Sequence, residues 1–110
     1  MSKPKMRQKA RRLLAQALYS WDVGGCDLID IEAEFHSDNN MATVDTELFH
    51  EVLFGVPKNL TEIDATFESY LDRQQDQLDP VSRAILRIAT YEMLYRIDVP
   101  YKVVINEGVN

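Results

Sequence analysis

Apolar residues recur every three to four positions along most of this chain, which is the spacing of helices that turn one face toward a core. On a helical wheel, one stripe of the first segment collects Met6, Ala10, Leu13, Leu14, Ala17, Leu18 and Trp21. The opposite face is polar and collects Lys5, Gln8, Lys9, Arg12, Gln16 and Tyr19. We therefore predict a first helix over residues 6–23, ended by Gly24 and Gly25, with Tyr19 outside the core.

The second and third helices are predicted from the same periodicity. Asp27 is placed to cap the second helix, and a polar loop at residues 36–40 follows it. The third helix covers residues 45–56, and Gly55 and Pro57 are expected to break it. Its apolar stripe consists of Leu48, Phe49, Val52, Leu53 and Val56.

The fourth helix is predicted from a possible capping box, because Asn59 is followed three residues later by Glu62. Its expected core face consists of Leu60, Ile63, Phe67, Tyr70 and Leu71. Asp79 and Pro80 then give a strong start signal for a fifth helix, an N-cap followed by proline in the first helical position.

The fifth helix is apolar almost all the way round, which is typical of a central helix with neighbours on most sides. Arg83, Arg87 and Thr90 mark its narrow solvent side. Glu92 falls in the apolar sector, and we expect it to be a structural acid paired with an arginine or a helix start. The residues predicted to be buried together are Leu14, Leu18, Leu53, Ile85 and Ile88.

Charge is distributed very unevenly along the chain. Six of the twelve basic residues fall in the first twelve positions, whereas no acidic residue occurs before Asp22. The cations are Lys3, Lys5, Arg7, Lys9, Arg11 and Arg12. A basic stretch near a terminus is often only a solvated tail. Here amides and Tyr19 are interleaved with the cations, which favours nucleic acid or a protein partner, because phosphates need cations and bases need flat surfaces.

Other functional classes find little support in the sequence. The lone Cys26 excludes an internal disulfide framework, fits a reducing, cytoplasmic setting and is expected to be a buried apolar filler. No apolar run is long enough to cross a membrane. His36 and His50 lack the spacing of a metal site, and no glycine-rich phosphate loop is present. We predict no catalytic residue, no metal and no cofactor, and therefore no enzyme.

Three ordered motifs carry a family resemblance. The first is AR at 10–11 with AQALY at 15–19, the second is RAILRIATYEML at 83–94, and the third is DVPYKVVINE at 98–107. Together they resemble the transcription antitermination factor NusB family across nearly the whole chain. The family has alanine where Gly108 stands, and it continues beyond Asn110.

The resemblance implies an all-α fold of two small helical bundles packed as one domain over residues 1–110. Within it, residues 1–12 would be a basic RNA-binding arm leading into the first helix. Residues 101–110 would be the stub of a last bundle helix, with the final helices of the family missing. An apolar groove left open beside the fifth helix and this stub is expected to promote association of the chain into a homodimer.

The resemblance also implies a bacterial function. Such a protein pairs with NusE, a ribosomal protein of the small subunit, to bind boxA-type single-stranded RNA. It acts in the RNA polymerase antitermination complex during ribosomal RNA synthesis. By position, the six N-terminal cations Lys3, Lys5, Arg7, Lys9, Arg11 and Arg12 match the RNA-binding segment. Tyr19, Asp76 and Ser82 match positions toward NusE.

Two other classes of protein remain open. The same helical domain resembles the N-terminal RNA-binding region of some ribosomal RNA cytosine methyltransferases, in which a following domain performs catalysis. The chain would also fit a plain helical protein–protein interaction module in which the basic stretch is incidental. Binding of short single-stranded RNA, with and without NusE, separates these possibilities.

Overall fold

Five α-helices make up most of residues 2–96, the part of the chain that the computed structural model describes. They are α1 (Lys3–Gly24), α2 (Leu28–Asp38), α3 (Thr46–Lys58), α4 (Leu60–Leu71) and α5 (Pro80–Tyr95). Short 3-10 turns lie at Met41–Thr43 and Gln75–Gln77. No strand occurs within residues 2–96, so the predicted all-α class is confirmed there. The predicted stub at residues 101–110 lies outside the described residues.

The basic residues near the N-terminus are part of α1 and do not form a separate arm. The Ser2 hydroxyl caps the helix by accepting a hydrogen bond from the Lys5 backbone N–H, and Pro4 occupies the first turn. Both features favour an early helix start, so α1 begins before the predicted Met6. At the other end, Gly25 takes a left-handed conformation with φ 67°, as expected for a glycine stop.

Helix α3 continues through both residues that were expected to break it. Gly55 is buried inside the helix and Pro57 lies in its last turn. Asn59 ends α3, because its backbone N–H and its side-chain amide both donate to the Gly55 carbonyl. The Asn59 side chain makes no capping bond to α4, so the predicted capping box with Glu62 is wrong.

Helix α2 is also longer than predicted, since residues 36–38 of the expected loop belong to it. The two 3-10 turns shorten the remaining connections. Cys26, expected as a buried filler, is exposed in the turn between α1 and α2. Tyr70 and Leu71 are exposed at the end of α4, where the chain is already leaving the core, although Ile63 and Phe67 are buried as predicted.

One continuous apolar core joins all five helices. Helix α1 packs on α2, α3 and α5, and α5 also packs on α3 and α4. The predicted stripes of α1 and α3 are largely confirmed, since they supply Ala10, Leu13, Leu14, Ala17, Leu18, Leu48, Phe49, Val52, Leu53 and Val56. Helix α5 is central as expected, because it contacts three of the other helices.

The predicted orientation of α5 is wrong. Arg87 and Thr90, expected on the solvent side, are 4% and 6% exposed, whereas Ile85 is 52% exposed. Ile88 is buried as expected. Arg87 is turned inward because Asp64 of α4 and Asp22 of α1 surround its guanidinium. Half-buried carboxylates on other helices therefore set the rotation of α5, which its own hydrophobic pattern does not determine.

Candidate nucleic-acid and partner interface

The polar face of α1 displays cations because its other face is buried in the core. Lys3, Lys5 and Arg12 are exposed along this helix. Tyr19 lies further along α1 and is 40% exposed, which confirms that its ring is outside the core. A rigid helix thus presents separated positive charges and one aromatic ring to solvent.

The other three cations of the predicted RNA-binding set also contact the body of the protein. Arg11 donates two hydrogen bonds to the Glu92 carboxylate, at 2.8 and 2.7 Å. Lys9 Nζ donates to the Thr43 hydroxyl at 2.8 Å, and Arg7 Nε lies 3.9 Å from a carboxylate oxygen of Asp45. The prediction that Glu92 pairs with an arginine is confirmed. These contacts fix α1 against α5 and against the segment before α3.

A cleft of about 600 Å³ brings a further cation to this end of the molecule. Lys3 and Arg7 line it from α1, Asp45 lines it from the start of α3, and Arg96 lines it from the end of α5. Arg96 also pairs with Glu51 at 2.7 Å. Nothing local in the sequence associates Arg96 with the N-terminal cations, because the two segments are far apart along the chain.

The three residues predicted to face a protein partner lie on three different elements. Tyr19 is on α1, Asp76 is in the 3-10 turn Gln75–Gln77, and Ser82 is in the first turn of α5. Arg83 links these elements, because its Nε donates to Asp22 of α1 at 2.7 Å and its Nη1 donates to the Gln75 carbonyl at 3.2 Å. The fold thereby joins the three elements at one end of the α1–α5 pair.

Asp79 organises the start of α5 within this region. Its two carboxylate oxygens accept hydrogen bonds from the Ser82 backbone N–H at 2.9 Å and the Ser82 hydroxyl at 2.7 Å. These bonds, the backbone bond first, hold the pKa of Asp79 below its usual value. A carboxyl whose pKa is lowered on folding stabilises the protein above its unfolded pKa and loses that contribution as the pH falls. The cap therefore operates fully at neutral pH.

Apolar residues of α5 that face away from the core remain accessible. Val81, Ile85 and Met93 are exposed along this side of the helix. Ile85, Ile88 and Ala89 line a groove of about 380 Å³ against Ala15 of α1. The α5 side of the predicted apolar groove is thus present. Its predicted second wall, residues 101–110, lies outside the described residues.

Residues 2–96 show neither a metal-binding cluster nor a membrane-spanning helix. Within this range, no group of three or more His, Cys, Asp or Glu side chains is arranged to hold a metal ion. His50 instead pairs with Glu32 at 2.6 Å. None of the described helices combines the length and the apolar character that crossing a membrane requires.

The fold and this surface together define a small helical protein with a cationic helix face. The NusB family model matches residues 8–110. A transcription antitermination protein NusB from Pseudoalteromonas atlantica is 52% identical over 97% of this chain and 76% of its own length. Those from Saccharophagus degradans and Shewanella halifaxensis are 53% and 48% identical, over 94% and 97% of this chain and 70% and 79% of their own lengths. The chain belongs to the NusB family, in agreement with the expected non-enzymatic antitermination factor.

Proposed function

We propose that this protein acts in transcription antitermination by binding boxA-type single-stranded RNA together with the ribosomal protein NusE. In this role it would join the RNA polymerase antitermination complex and support transcription of ribosomal RNA operons. The observation that carries the proposal is the exposed cationic face of α1, in a chain that belongs to the family of transcription antitermination proteins NusB.

The cations of α1 suit RNA phosphates because the helix fixes their spacing before RNA binds. Lys5 and Arg12 are exposed and are the residues best placed for direct contact. Arg11 shares its guanidinium with Glu92, so part of its charge is already balanced within the protein. Phosphate contacts carry no sequence information. Selection of a boxA-type element would therefore depend on base stacking and on NusE.

The chain's net charge of −6 also favours RNA binding that depends on a protein partner. Most carboxylates lie outside the first helix and would repel RNA from the rest of the surface. Binding by this protein alone would then be weak, and NusE would tighten it by adding contacts beside Tyr19, Asp76 and Ser82. The alternatives are a methyltransferase-type RNA domain and a plain interaction module. Only the proposed function requires that both NusE and RNA are bound, so RNA binding with and without NusE separates it from both.

Filter binding to a short single-stranded RNA tests the cationic face. If about four to six cations engage phosphates, log affinity should fall against log salt with a slope of about −3 to −4. Arg12→Ala should make that slope shallower by about 0.7. Arg11→Ala should change it less, because Glu92 already balances this guanidinium. Arg73→Ala, at an exposed arginine beyond α4, is the matched control. If RNA affinity changes neither with salt nor with Arg12→Ala, the cationic face of α1 is not the RNA-binding site.

The partner-facing end is tested by Tyr19→Asp, which adds a charge at a proposed protein contact and leaves every cation in place. We expect the gain in RNA affinity caused by NusE to fall, while the salt slope of the protein alone stays unchanged. Filter binding with and without NusE measures both quantities. An equal loss of RNA affinity in the presence and absence of NusE would place Tyr19 on the RNA surface instead.

We also propose that the apolar side of α5 mediates association with a second copy of the chain. A twofold dimer buries the same patch on both copies, and contiguous exposed apolar surface favours such contacts. Sedimentation should show a mass that rises with concentration, and Ile85→Ser should suppress the rise. Ile29→Ser is the control, because Ile29 of α2 is 68% exposed but lies outside the α5 stripe. A monomer at all concentrations would contradict this proposal.

A further inference from the structure

Arg83 occupies a junction between three elements at the partner-facing end. Its side chain is 15% exposed, and its Nε donates to the Asp22 carboxylate of α1 at 2.7 Å. Its Nη1 points toward two backbone carbonyls, those of Gln75 at 3.2 Å and Leu78 at 3.5 Å. One guanidinium thus connects α5, the last turns of α1 and the segment 75–78.

The segment 75–78 has little structure of its own. Two backbone hydrogen bonds form the turn. The Gln77 N–H donates to the Gln74 carbonyl at 3.0 Å, and the Leu78 N–H donates to the Gln75 carbonyl at 3.3 Å. A single 3-10 turn of this kind is weakly held by itself. External anchors therefore determine its position, and besides Arg83 they include Glu68, which accepts from the Gln75 N–H at 2.7 Å.

The consequence concerns Asp76, which lies in the middle of this turn and is exposed. Among residues 2–96, no hydrogen bond or ion pair joins Asp76 directly to Tyr19. Arg83 links them, because it holds the turn through the Gln75 carbonyl and α1 through Asp22. Arg87 bridges the same elements more loosely, through the Gln75 side chain at 3.3 Å and Asp22 at 3.4 Å. Asp22 is one helical turn beyond Tyr19.

We propose that Arg83 is a positioning residue for partner binding, because it fixes the Asp76 turn and the Tyr19 end of α1 in one arrangement. This inference rests on the proposed function and assigns a new role within the NusE-binding surface. Arginine is needed because its planar fork reaches a carboxylate and carbonyl groups together, whereas lysine offers a single charged point.

Arg83→Lys tests this role, because it keeps the charge opposite Asp22 and removes the fork. We expect NusE affinity, measured by calorimetry, to fall about three- to tenfold, the range produced by losing one or two ordinary hydrogen bonds. Hydrogen exchange of the Gln77 and Leu78 amides should accelerate. The slope of log RNA affinity against log salt, measured for the protein alone, should stay unchanged. An unfolded variant would not keep this slope, so the measurement distinguishes loss of positioning from loss of folding. Arg73→Lys is the matched control.

A second variant keeps the test decisive if Arg83→Lys folds poorly. Glu68→Ala removes a further anchor of the turn, the carboxylate of α4 that accepts from the Gln75 N–H, and should also weaken NusE binding. Wild-type affinity in Arg83→Lys or in Glu68→Ala, despite faster amide exchange in the turn, would overturn the positioning role while leaving the proposed function intact. Failure of the wild-type protein to bind NusE would overturn both.

Discussion

Arg87→Ala should lower the free energy of unfolding by about 3–5 kcal/mol, the usual effect of removing one partner from a buried ion pair. The Arg87 side chain is 5% exposed, and it donates two hydrogen bonds to Asp64 at 2.9 and 2.8 Å. A carboxylate oxygen of Asp22 lies 3.4 Å from the same guanidinium. Truncation therefore leaves the Asp64 carboxylate without its counter-charge, whereas Asp22 keeps Arg83 at 2.7 Å. Urea denaturation measures the cost.

Two comparisons identify the cause of that loss. The double variant Arg87→Ala with Asp64→Ala should recover part of the stability, because it also removes the stranded carboxylate. The exposed Arg73→Ala should change the free energy of unfolding by less than about 0.5 kcal/mol. If Arg87→Ala were as mild as Arg73→Ala, the buried ion pairs would not determine how α5 sits in the core.

Gly55→Ala should destabilise the protein by about 1–3 kcal/mol, the range for forcing extra volume into a packed core. A Cβ atom at position 55 would lie 2.6 Å from Cζ and 2.7 Å from the hydroxyl oxygen of Tyr91. The ring cannot retreat easily, because Tyr91 is buried and donates to Glu51 at 3.1 Å. Burial, assisted by this bond, raises the pKa of Tyr91 to about 12, so the hydroxyl remains a donor at neutral pH.

Gly24→Ala is the matched control for Gly55→Ala, because a Cβ there would meet Cys26 Sγ at an ordinary 3.4 Å. Its effect on the thermal unfolding midpoint should be small. Replacing Tyr91 by Leu in the Gly55→Ala background should remove the clash and make the two substitutions non-additive. A Gly55→Ala protein that is as stable as wild type would show that α3 and α5 can separate at no cost.

The sequence by itself determined the helical class, most of the core and the existence of a cationic helix face. The stripes of α1 and α3 were predictable because helical periodicity is a local property. Asp79 and Pro80 marked the start of α5 for the same reason. The helical wheel of the first segment also predicted that the cations of α1 lie opposite its apolar stripe and that Tyr19 is exposed.

Only the tertiary structure decided which residues of α5 point inward and how α3 ends. Gly55 lies inside α3 and does not end it, and the ring of Tyr91 occupies the space that a side chain at this position would need. Arg87 is buried and Ile85 exposed, because the carboxylates that attract Arg87 come from α1 and α4. Likewise, Arg11 pairs with Glu92 across 81 positions. Such long-range pairings leave no local signal, since they exist only after the helices have packed.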